Sequence, residues 1–500
     1  MIPSKDLTAS NKDYAVFLPS ISSFYSKLIS QQRRDPNYVN KERMPDGFEH
    51  GIDGCDFLKD VDTYYNYKWG LYSAGHATLD TAKSDVQECM IQKRDRNKSF
   101  ILGDSGGFQI AKGVIQMDWA NFKTDDQLRS TILNWLEHTA DYSMVLDIPT
   151  LAAVPPLSEK TGLKSFSDCL DYTMFNNDYF VKHRQGKTKF MNVLQGNDEH
   201  TADIWYEAVK HYPFEGWAMA GYNMKQLHLM LRRLIVMRDE KMLDPGRDLI
   251  HYLGTAKLDW SCVFTAIQRN LREHVNENMM VTFDAASPFI TTAKGQMYTS
   301  NNLRNDKFGY VMEGAIDDKR FAGNFDMKFP FNGPIADRLK MGDVCWYKPG
   351  MLNKIGKEGK TSWDSFSYFL MMAHNVYMHI DSVQNANALT DVATARYTPS
   401  HKHWQKVKAG KKIDEFDTWI PRNVIYVVNF INELFKSETP MQMLDEAQPM
   451  LADFSGQKSI KTSASAFDSL FEASWGDQGD DDFTEDDAEA AESFLESLET

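Results

Sequence analysis

Short apolar runs recur along the chain between about residues 60 and 290, and polar, helix-forming stretches separate most of them. A run of three to five apolar residues bounded by polar or turn residues is typical of a strand that is buried on both faces. The pattern therefore predicts a series of buried strands. The runs occupy residues 69–73, 100–102, 142–146, 190–194, 216–220, 249–253 and 279–283.

The stretches between the runs have the spacing of amphipathic helices. In the clearest, Thr124 and Gln127 have the spacing of a capping box, which predicts a helix that begins there. Two more helices are predicted near residues 224–235 and 259–275. The apolar face of the first helix is formed by Leu128, Ile132, Trp135 and Leu136.

Strands that alternate with helices every thirty to forty-five residues indicate parallel βα units. Seven such strands in about 220 residues favour a (β/α)8 TIM-like barrel over a doubly wound sheet. No Gly-x-Gly-x-x-Gly follows the first strand, which further weakens the dinucleotide-binding alternative. The predicted fold class is an α/β barrel with a mostly helical C-terminal extension and a disordered acidic tail.

The same pattern divides the chain into four parts. Residues 1–60 are an N-terminal segment, irregular apart from one apolar run at 14–18, and residues 61–320 form the barrel. Residues 321–454 are predicted to be mostly helical, with helices at 365–379 and from Pro421 onward. Residues 455–500 are a Ser-, Thr- and Lys-rich linker followed by the acidic tail.

Composition bears on location and on partners. The net charge is -15, but residues 477–500 contain eleven acids and no Lys or Arg, which leaves 59 acids against 55 bases in the body. A near-neutral body is compatible with a local nucleic-acid-binding face. The N-terminus lacks the apolar core of a signal peptide, no run is long enough to span a membrane, and the five cysteines are scattered. These features predict a cytoplasmic protein.

Polar residues follow several of the predicted strands directly. Carboxylates occur at Asp104, Asp147 and Asp284, an amide at Gln195 and a glycine at Gly221. A single strand-end Asp is more often a cap or turn residue than a functional one. In a parallel barrel, however, the C-terminal strand ends meet at one face, where functional side chains lie. The pattern predicts one polar site there.

The strand-end segments resemble those of the tRNA-guanine transglycosylase superfamily. Asp-Ser-Gly-Gly-Phe-Gln at 104–109 is similar to the signature of that family, and Val-Leu-Gln-Gly at 193–196 to its base-binding segment. Gly-Trp-Ala-Met-Ala-Gly at 216–221 is similar to its glycine-rich strand. Phe-Asp-Ala-Ala-Ser-Pro at 283–288 is similar to the segment around its nucleophile. The matches keep the order of the family across roughly residues 60–300.

The resemblance implies exchange of guanine in a polynucleotide for a 7-deazaguanine through a covalent glycosyl–enzyme intermediate. Asp284 would be the nucleophile at C1′, and Asp104 would take the N9 proton of the incoming base. Asp147 would accept from the Watson–Crick edge of the base, while Gln195 and a backbone N–H near Gly221 would meet its carbonyl oxygen. The resemblance implies no metal and no organic cofactor.

The resemblance also assigns a wider set of residues to the base pocket. Phe108 would supply a flat apolar face on which the base stacks. The other substrate-binding residues that the resemblance implies are Ser105, Gly106, Gly196 and Tyr222.

Two departures from the family favour DNA over tRNA as the polynucleotide. The Cys-x-Cys-x-x-Cys zinc motif is missing, because Cys345 is the one cysteine after the nucleophile. Where the family has an Arg that contacts tRNA, Pro288 is followed by Phe289 and Ile290. The chain is closest in character to the phage and bacterial DNA-guanine transglycosylase branch, which uses bases such as preQ0 (7-cyano-7-deazaguanine). A divergent tRNA enzyme and a catalytically inactive nucleic-acid-binding subunit remain open alternatives.

A lysine-rich segment after residue 400 is a candidate contact to nucleic acid. It contains an aromatic residue, Trp404, among its bases, and we expect Lys402, Lys406 and Lys408 to face phosphates. The alternative is a solvated lysine face. The acidic tail is a candidate site for a protein partner.

Overall fold

The computed structural model describes most of the chain. The described residues are 5–8, 13–304, 307–315, 326–345, 363–396 and 420–456.

A sheet of eight parallel strands forms the centre of the protein. Each strand pairs with the strand that precedes or follows it in the chain, except that the first pairs with the last. The Ile21 N–H donates to the Leu71 carbonyl at 2.9 Å, which joins the first strand to the second and brings the sheet edges together. The predicted TIM-like barrel is confirmed. The strands are β1 (Val16–Pro19), β2 (Trp69–Ser73), β3 (Phe100–Asp104), β4 (Tyr142–Met144), β5 (Lys189–Leu194), β6 (Gly216–Met219), β7 (Leu249–Tyr252) and β8 (Met280–Ala285).

The strands form where the apolar runs occur because both of their faces are covered. All four residues of β6 and of β7 are buried, and five of the six residues of β5 are buried. Side chains that point inward fill the barrel, and side chains that point outward pack against helices. A continuous apolar run, rather than an alternating one, follows from that arrangement.

The eighth strand comes from the N-terminal segment. The sequence pattern predicted seven strands after residue 60, but β1 lies before that boundary and pairs with β8 in parallel register. All four residues of β1 are buried. The barrel therefore begins near residue 15, and the 1–60 segment is partly barrel.

Helices surround the barrel and continue after it. Within the described residues they are α1 (Ser23–Arg34), α2 (Thr81–Gln87), α3 (Cys89–Gln92), α4 (Gly107–Lys112), α5 (Gln127–Thr139), α6 (Leu157–Thr161), α7 (Phe166–His183), α8 (Glu199–Val209), α9 (Tyr222–Lys225), α10 (Leu227–Asp239), α11 (Leu258–His274), α12 (Ser287–Ile290), α13 (Met341–Val344), α14 (Ser365–Arg396), α15 (Arg422–Leu434) and α16 (Pro440–Phe454). Short 3-10 turns occupy Ile52–Cys55, Thr150–Ala153, Thr291–Lys294 and Ala336–Arg338.

The predicted start of α5 was wrong. The helix begins at Gln127 with Asp126 as its N-cap, and no side chain caps it. The Thr124 hydroxyl instead donates to the Asn121 carbonyl, since the preceding residues form a turn of their own. The predicted apolar face is confirmed, because Ile132, Trp135 and Leu136 are fully buried and Leu128 packs at the edge of the core.

An antiparallel hairpin and the C-terminal helices pack on the barrel. The hairpin pairs β9 (Gln296–Leu303) with β10 (Phe308–Gly314). The Tyr298 N–H donates to Asn375 Oδ1 at 3.0 Å, which attaches α14 to the hairpin. The predicted helices at 365–379 and after Pro421 are confirmed, and the first extends to Arg396. Among the described residues, no helix combines the length and the apolar content that a bilayer crossing requires.

Candidate functional site

The strand-end residues that the sequence singled out lie at the C-terminal end of the barrel. Asp104 is the last residue of β3 and pairs in register with Ser73 of β2. Asp284 is the fifth residue of β8 and pairs with Leu18 of β1. Gln195 directly follows β5, and Asp147 lies three residues after the end of β4. Because the strands are parallel, these residues lie at the same end of the barrel, where the βα loops begin.

Asp284 is held through both of its carboxylate oxygens. The Ser20 hydroxyl donates to Oδ2 at 2.6 Å, and the Gly254 N–H donates to Oδ1 at 2.9 Å. The Nε2 atom of His251 lies 3.3 Å from Oδ1. The side chain is 13% exposed, so most of its surroundings are protein.

Those contacts decide the protonation state of Asp284. Burial acts to raise the pKa of this carboxyl, but His251, the Gly254 N–H and the Ser20 hydroxyl together hold the pKa below its ordinary value. The His251 ring is fully buried in β7, and its Nδ1 lies 2.9 Å from Thr282 Oγ1 of the neighbouring strand. The ring is therefore positioned by Thr282 on one side and lies against Asp284 on the other. Asp284 is an ionised carboxylate in a mostly buried position.

Asp104 has the opposite tendency. The Ser73 hydroxyl donates to its Oδ2 at 2.6 Å, and the Gly106 N–H donates to its Oδ1 at 3.2 Å. Burial raises the pKa of Asp104 and the negative charge of Asp284 adds to the rise, so that these two hydrogen bonds offset it only in part. This carboxyl accepts a proton more readily than an exposed Asp does.

Asp147 and Gln195 form a pair across neighbouring strand ends. Gln195 Nε2 donates to Asp147 Oδ2 at 2.8 Å, and both side chains are buried. Burial raises the pKa of Asp147 to about 7, and the charge of Asp104 contributes to the rise. The Asn223 side chain donates to the Gln195 carbonyl at 2.9 Å, which fixes the backbone of that strand end. The pair combines a carboxyl and an amide, which together offer acceptors and a donor to a polar ring edge.

The glycines of the motifs fill positions where a side chain has no room. Gly196 has φ +144°, and a Cβ there would lie 2.6 Å from the Cα of Ala202. Gly221 has φ +54°, and a Cβ there would lie 2.9 Å from the Gly196 carbonyl and 3.2 Å from the Gln195 side-chain oxygen. The Tyr222 N–H donates to the same Gly196 carbonyl at 3.0 Å. These residues bring two βα loops close together beside Gln195.

Ser105, Gly106 and Phe108 continue the β3 strand end. The Ser105 side chain is buried, and its hydroxyl donates to the Val145 carbonyl at 3.1 Å. The hydroxyl proton is therefore engaged in a hydrogen bond within the protein. Gly106 is the N-cap of α4 with φ +77°. The Phe108 ring is partly exposed, and the Lys112 ammonium lies 4.8 Å from its centre. An aromatic face with a cation beside it suits a stacked base and its phosphate.

Sequence reasoning missed the residues that position the carboxylates. Ser20, Ser73 and His251 contact Asp284 or Asp104, yet none of them belongs to a motif in the sequence. Ser20 follows the apolar run of β1 directly, and Ser73 ends the run of β2. A polar residue at a strand end was the available signal, and it was applied only to the other strands.

Two predicted features lie outside what the site shows. Lys402, Lys406 and Lys408 fall outside the described residues, as does the acidic tail. Within the part of the chain that is described, no group of three or more His, Cys, Asp or Glu side chains has the arrangement of a metal site.

Comparison of the chain with models of known protein families and with curated proteins gives no match. What the site can do is therefore inferred from its own geometry and from the motif resemblance.

Proposed function

We propose that the chain is a guanine transglycosylase that acts on DNA and exchanges guanine for a 7-deazaguanine of the preQ0 type. One observation carries the proposal: three carboxyl groups meet at the barrel end with different proton affinities. The pKa of Asp284 is lowered, whereas those of Asp104 and Asp147 are raised. Groups whose environments separate their pKa values divide into nucleophile and acid–base roles.

The first half of the exchange uses Asp284 and Asp104 together. An oxygen of the ionised Asp284 attacks C1′, the C1′–N9 bond breaks, and the bond electrons leave with the guanine. Asp104, whose pKa is raised by burial and by the charge of Asp284, gives its proton to N9 of the departing base. The products of this step are a glycosyl ester on Asp284, an ionised Asp104 and free guanine.

The second half reverses these steps with a new base. Asp104 takes the N9 proton of the incoming 7-deazaguanine, N9 attacks C1′, and the ester bond to Asp284 breaks. Two displacements at one carbon retain the β-configuration, as in retaining glycosidases. The Asp284 carboxylate is a good leaving group because His251 and the Gly254 N–H stabilise its charge as it is released.

Asp147 and Gln195 would bind the edge of the base. Without a bound base, the Gln195 amide donates a hydrogen bond to the Asp147 carboxyl. A guanine-like ring offers N–H donors to Asp147 and a carbonyl oxygen to the Gln195 amide, so that it replaces their mutual bond. Since burial raises the pKa of Asp147 to about 7, we expect base binding to favour its ionised form near neutral pH.

The choice of DNA depends on the segment after the nucleophile. Phe289 and Ile290, at the positions where the family contacts tRNA, are buried, and Phe289 packs edge-on against Tyr25 at 5.5 Å. This segment is core packing here rather than a polar surface for an RNA backbone. The target deoxyguanosine must leave the base stack to reach carboxylates at the barrel end. We place the protein in the cytoplasm, that of the host if it is phage-encoded.

Exchange of label into polynucleotides tests the proposal. Labelled guanine and labelled preQ0 are incubated with duplex DNA and, separately, with tRNA, using wild type, Asp284→Asn, Asp104→Asn and the exposed Asp239→Asn as a matched control. We expect label in DNA with wild type and Asp239→Asn, and none with Asp284→Asn. In the absence of added base, wild type should form a denaturant-stable protein–DNA adduct. Incorporation into tRNA alone, or exchange that survives Asp284→Asn, would refute the proposal.

A further inference from the structure

The Ser20 hydroxyl donates a hydrogen bond to one carboxylate oxygen of Asp284, the candidate nucleophile. It donates to Asp284 Oδ2 at 2.6 Å, while the other oxygen, Oδ1, faces the Gly254 N–H at 2.9 Å and His251 at 3.3 Å. Oδ1 is thus held by a backbone group and a buried ring, neither of which can turn away. Oδ2 is held by a hydroxyl that rotates about a single bond. Oδ2 is accordingly the oxygen that is able to attack.

The backbone on both sides of Ser20 fixes its position. The Ser20 N–H donates to the Ala285 carbonyl at 3.1 Å, and the next N–H, that of Ile21, donates to Leu71 at 2.9 Å. Ser20 therefore lies at the seam where β1 joins β8 on one side and β2 on the other. Its side chain is only partly buried, so it borders the open end of the barrel.

The stereochemistry of a nucleoside places this hydroxyl opposite the sugar 2′ position. In a β-nucleoside the base and the 2′-hydroxyl lie on opposite faces of the ring. A nucleophile that displaces the base attacks C1′ from the face away from the base, which is the face that carries the 2′-hydroxyl. In a ribonucleoside, that hydroxyl would approach the attacking carboxylate and compete for the same acceptor. In a deoxyribonucleoside the position holds only hydrogen.

We propose that Ser20 is a sugar-specificity residue that favours 2′-deoxyribose. Its hydroxyl gives Asp284 the hydrogen bond that the 2′-hydroxyl of a ribose would otherwise give. This inference rests on the proposed function. A ribose 2′-hydroxyl that meets an acceptor already engaged by Ser20 loses its hydrogen bond, and a site rejects a substrate whose polar group is left unpaired. With deoxyribose, no sugar hydroxyl competes with Ser20 for Asp284.

The chain offers a matched control in Ser73. Its hydroxyl donates to Asp104 Oδ2 at 2.6 Å, the same distance and the same kind of bond, and its side chain is also partly buried. Asp104 is the candidate acid–base group for the base and does not bond to the sugar in the proposed reaction. Ser73→Ala therefore removes an equivalent hydrogen bond without touching the sugar-facing oxygen of the nucleophile.

The test compares two duplexes that differ only in one hydroxyl. One is duplex DNA, and the other has the same sequence with every deoxyguanosine replaced by riboguanosine; uptake of labelled guanine is measured for each. Wild type should prefer the deoxy duplex. Ser20→Ala should lower that deoxy-to-ribo ratio about tenfold, the value of one hydrogen bond to a charged group. Ser20→Thr, which keeps the hydroxyl, should retain the preference, and Ser73→Ala should slow both duplexes with the ratio unchanged.

The outcomes separate the two proposals. Uptake by wild type with a ratio that Ser20→Ala leaves unchanged, or changes no more than Ser73→Ala does, overturns the role of Ser20 and leaves the transglycosylase proposal standing. A wild-type preference for the ribo duplex also overturns it. Uptake in neither duplex refutes the proposed function and, with it, the inference. If Ser20→Ala does not fold by circular dichroism, loss of the preference in Ser20→Thr overturns the inference.

Discussion

Replacing Asp147 by Asn should stabilise the protein, and more so as the pH rises. The wild-type carboxyl has its pKa raised by burial from 3.8 to about 7, so the folded state keeps a proton that the unfolded chain has already released. Between these two values the unfolded state binds fewer protons. Stability contributed by this group is therefore present at low pH, is lost as the pH rises from about 4 to about 7, and levels off above. Asn is uncharged at every pH and has nearly the same shape.

The size of the effect follows from the shift. A rise of about three units corresponds to a cost of about 4 kcal/mol for the ionised wild-type carboxyl at pH 8. At pH 6 the same relation gives about 3 kcal/mol. The stability difference between Asp147→Asn and wild type should therefore grow by about 1.4 kcal/mol from pH 6 to pH 8, which is roughly tenfold in the unfolding equilibrium constant. The Asn carbonyl can still accept from Gln195 Nε2, so this hydrogen bond is retained.

Urea unfolding of both proteins at several pH values measures this difference. Fluorescence follows the barrel well, because Trp135, Trp205 and Trp217 are fully buried. Titrating groups that do not interact with Asp147 cancel, since they are common to both proteins, and Asp239→Asn serves as a control that makes the same substitution at an exposed position. A difference for Asp147→Asn that is flat between pH 6 and pH 8 would refute the reasoning, because it would place the pKa of Asp147 near its ordinary value.

Three further outcomes follow from the geometry. Gly196→Ala should lower the free energy of unfolding by about 2 kcal/mol or more, because its φ is positive and an added Cβ would overlap Ala202. Gly186→Ala, which is also at positive φ but has open space around it, should lower it by about 1 kcal/mol. Urea unfolding measures both losses, and equal losses would contradict this reasoning. Asp364→Ala should cost about 3–5 kcal/mol in the same assay, because it leaves the buried Arg43 guanidinium without its carboxylate; a loss below about 1 kcal/mol would show the pair to be unimportant. His251→Leu should move the acid limb of the exchange rate to higher pH, since burial then raises the pKa of the candidate nucleophile with less opposition; an unchanged limb would count against that contact.

The sequence was sufficient to predict the order of the strands and helices in most of the barrel. Apolar runs with helical stretches between them predicted seven parallel strands and the barrel, because a strand that is buried on both faces leaves a continuous apolar pattern. The apolar run at residues 14–18 was not assigned to the barrel, because the partner of β1, β8, lies more than 260 residues later. Closure of a barrel is a pairing between distant segments, and no local pattern specifies it.

The sequence also placed the main functional candidates. Asp104, Asp147, Gln195 and Asp284 each stand at or just after a predicted strand, and parallel strands deliver such residues to one face. Their chemistry could not be read from the chain. One residue type, Asp, has a raised pKa at two of the three positions and a lowered pKa at the third.

Only the tertiary structure decided which of these carboxyl groups has a lowered pKa and which have raised ones. Asp284 contacts Ser20, more than 260 residues earlier in the chain, and His251 of the neighbouring strand, whereas Asp147 contacts the Gln195 amide. A pKa depends on the balance between burial and nearby donors, and both are set by which strands become neighbours. The sequence determined where the strands end and which polar residues follow them; the closed barrel determined which of those residues touch, and so what each can do.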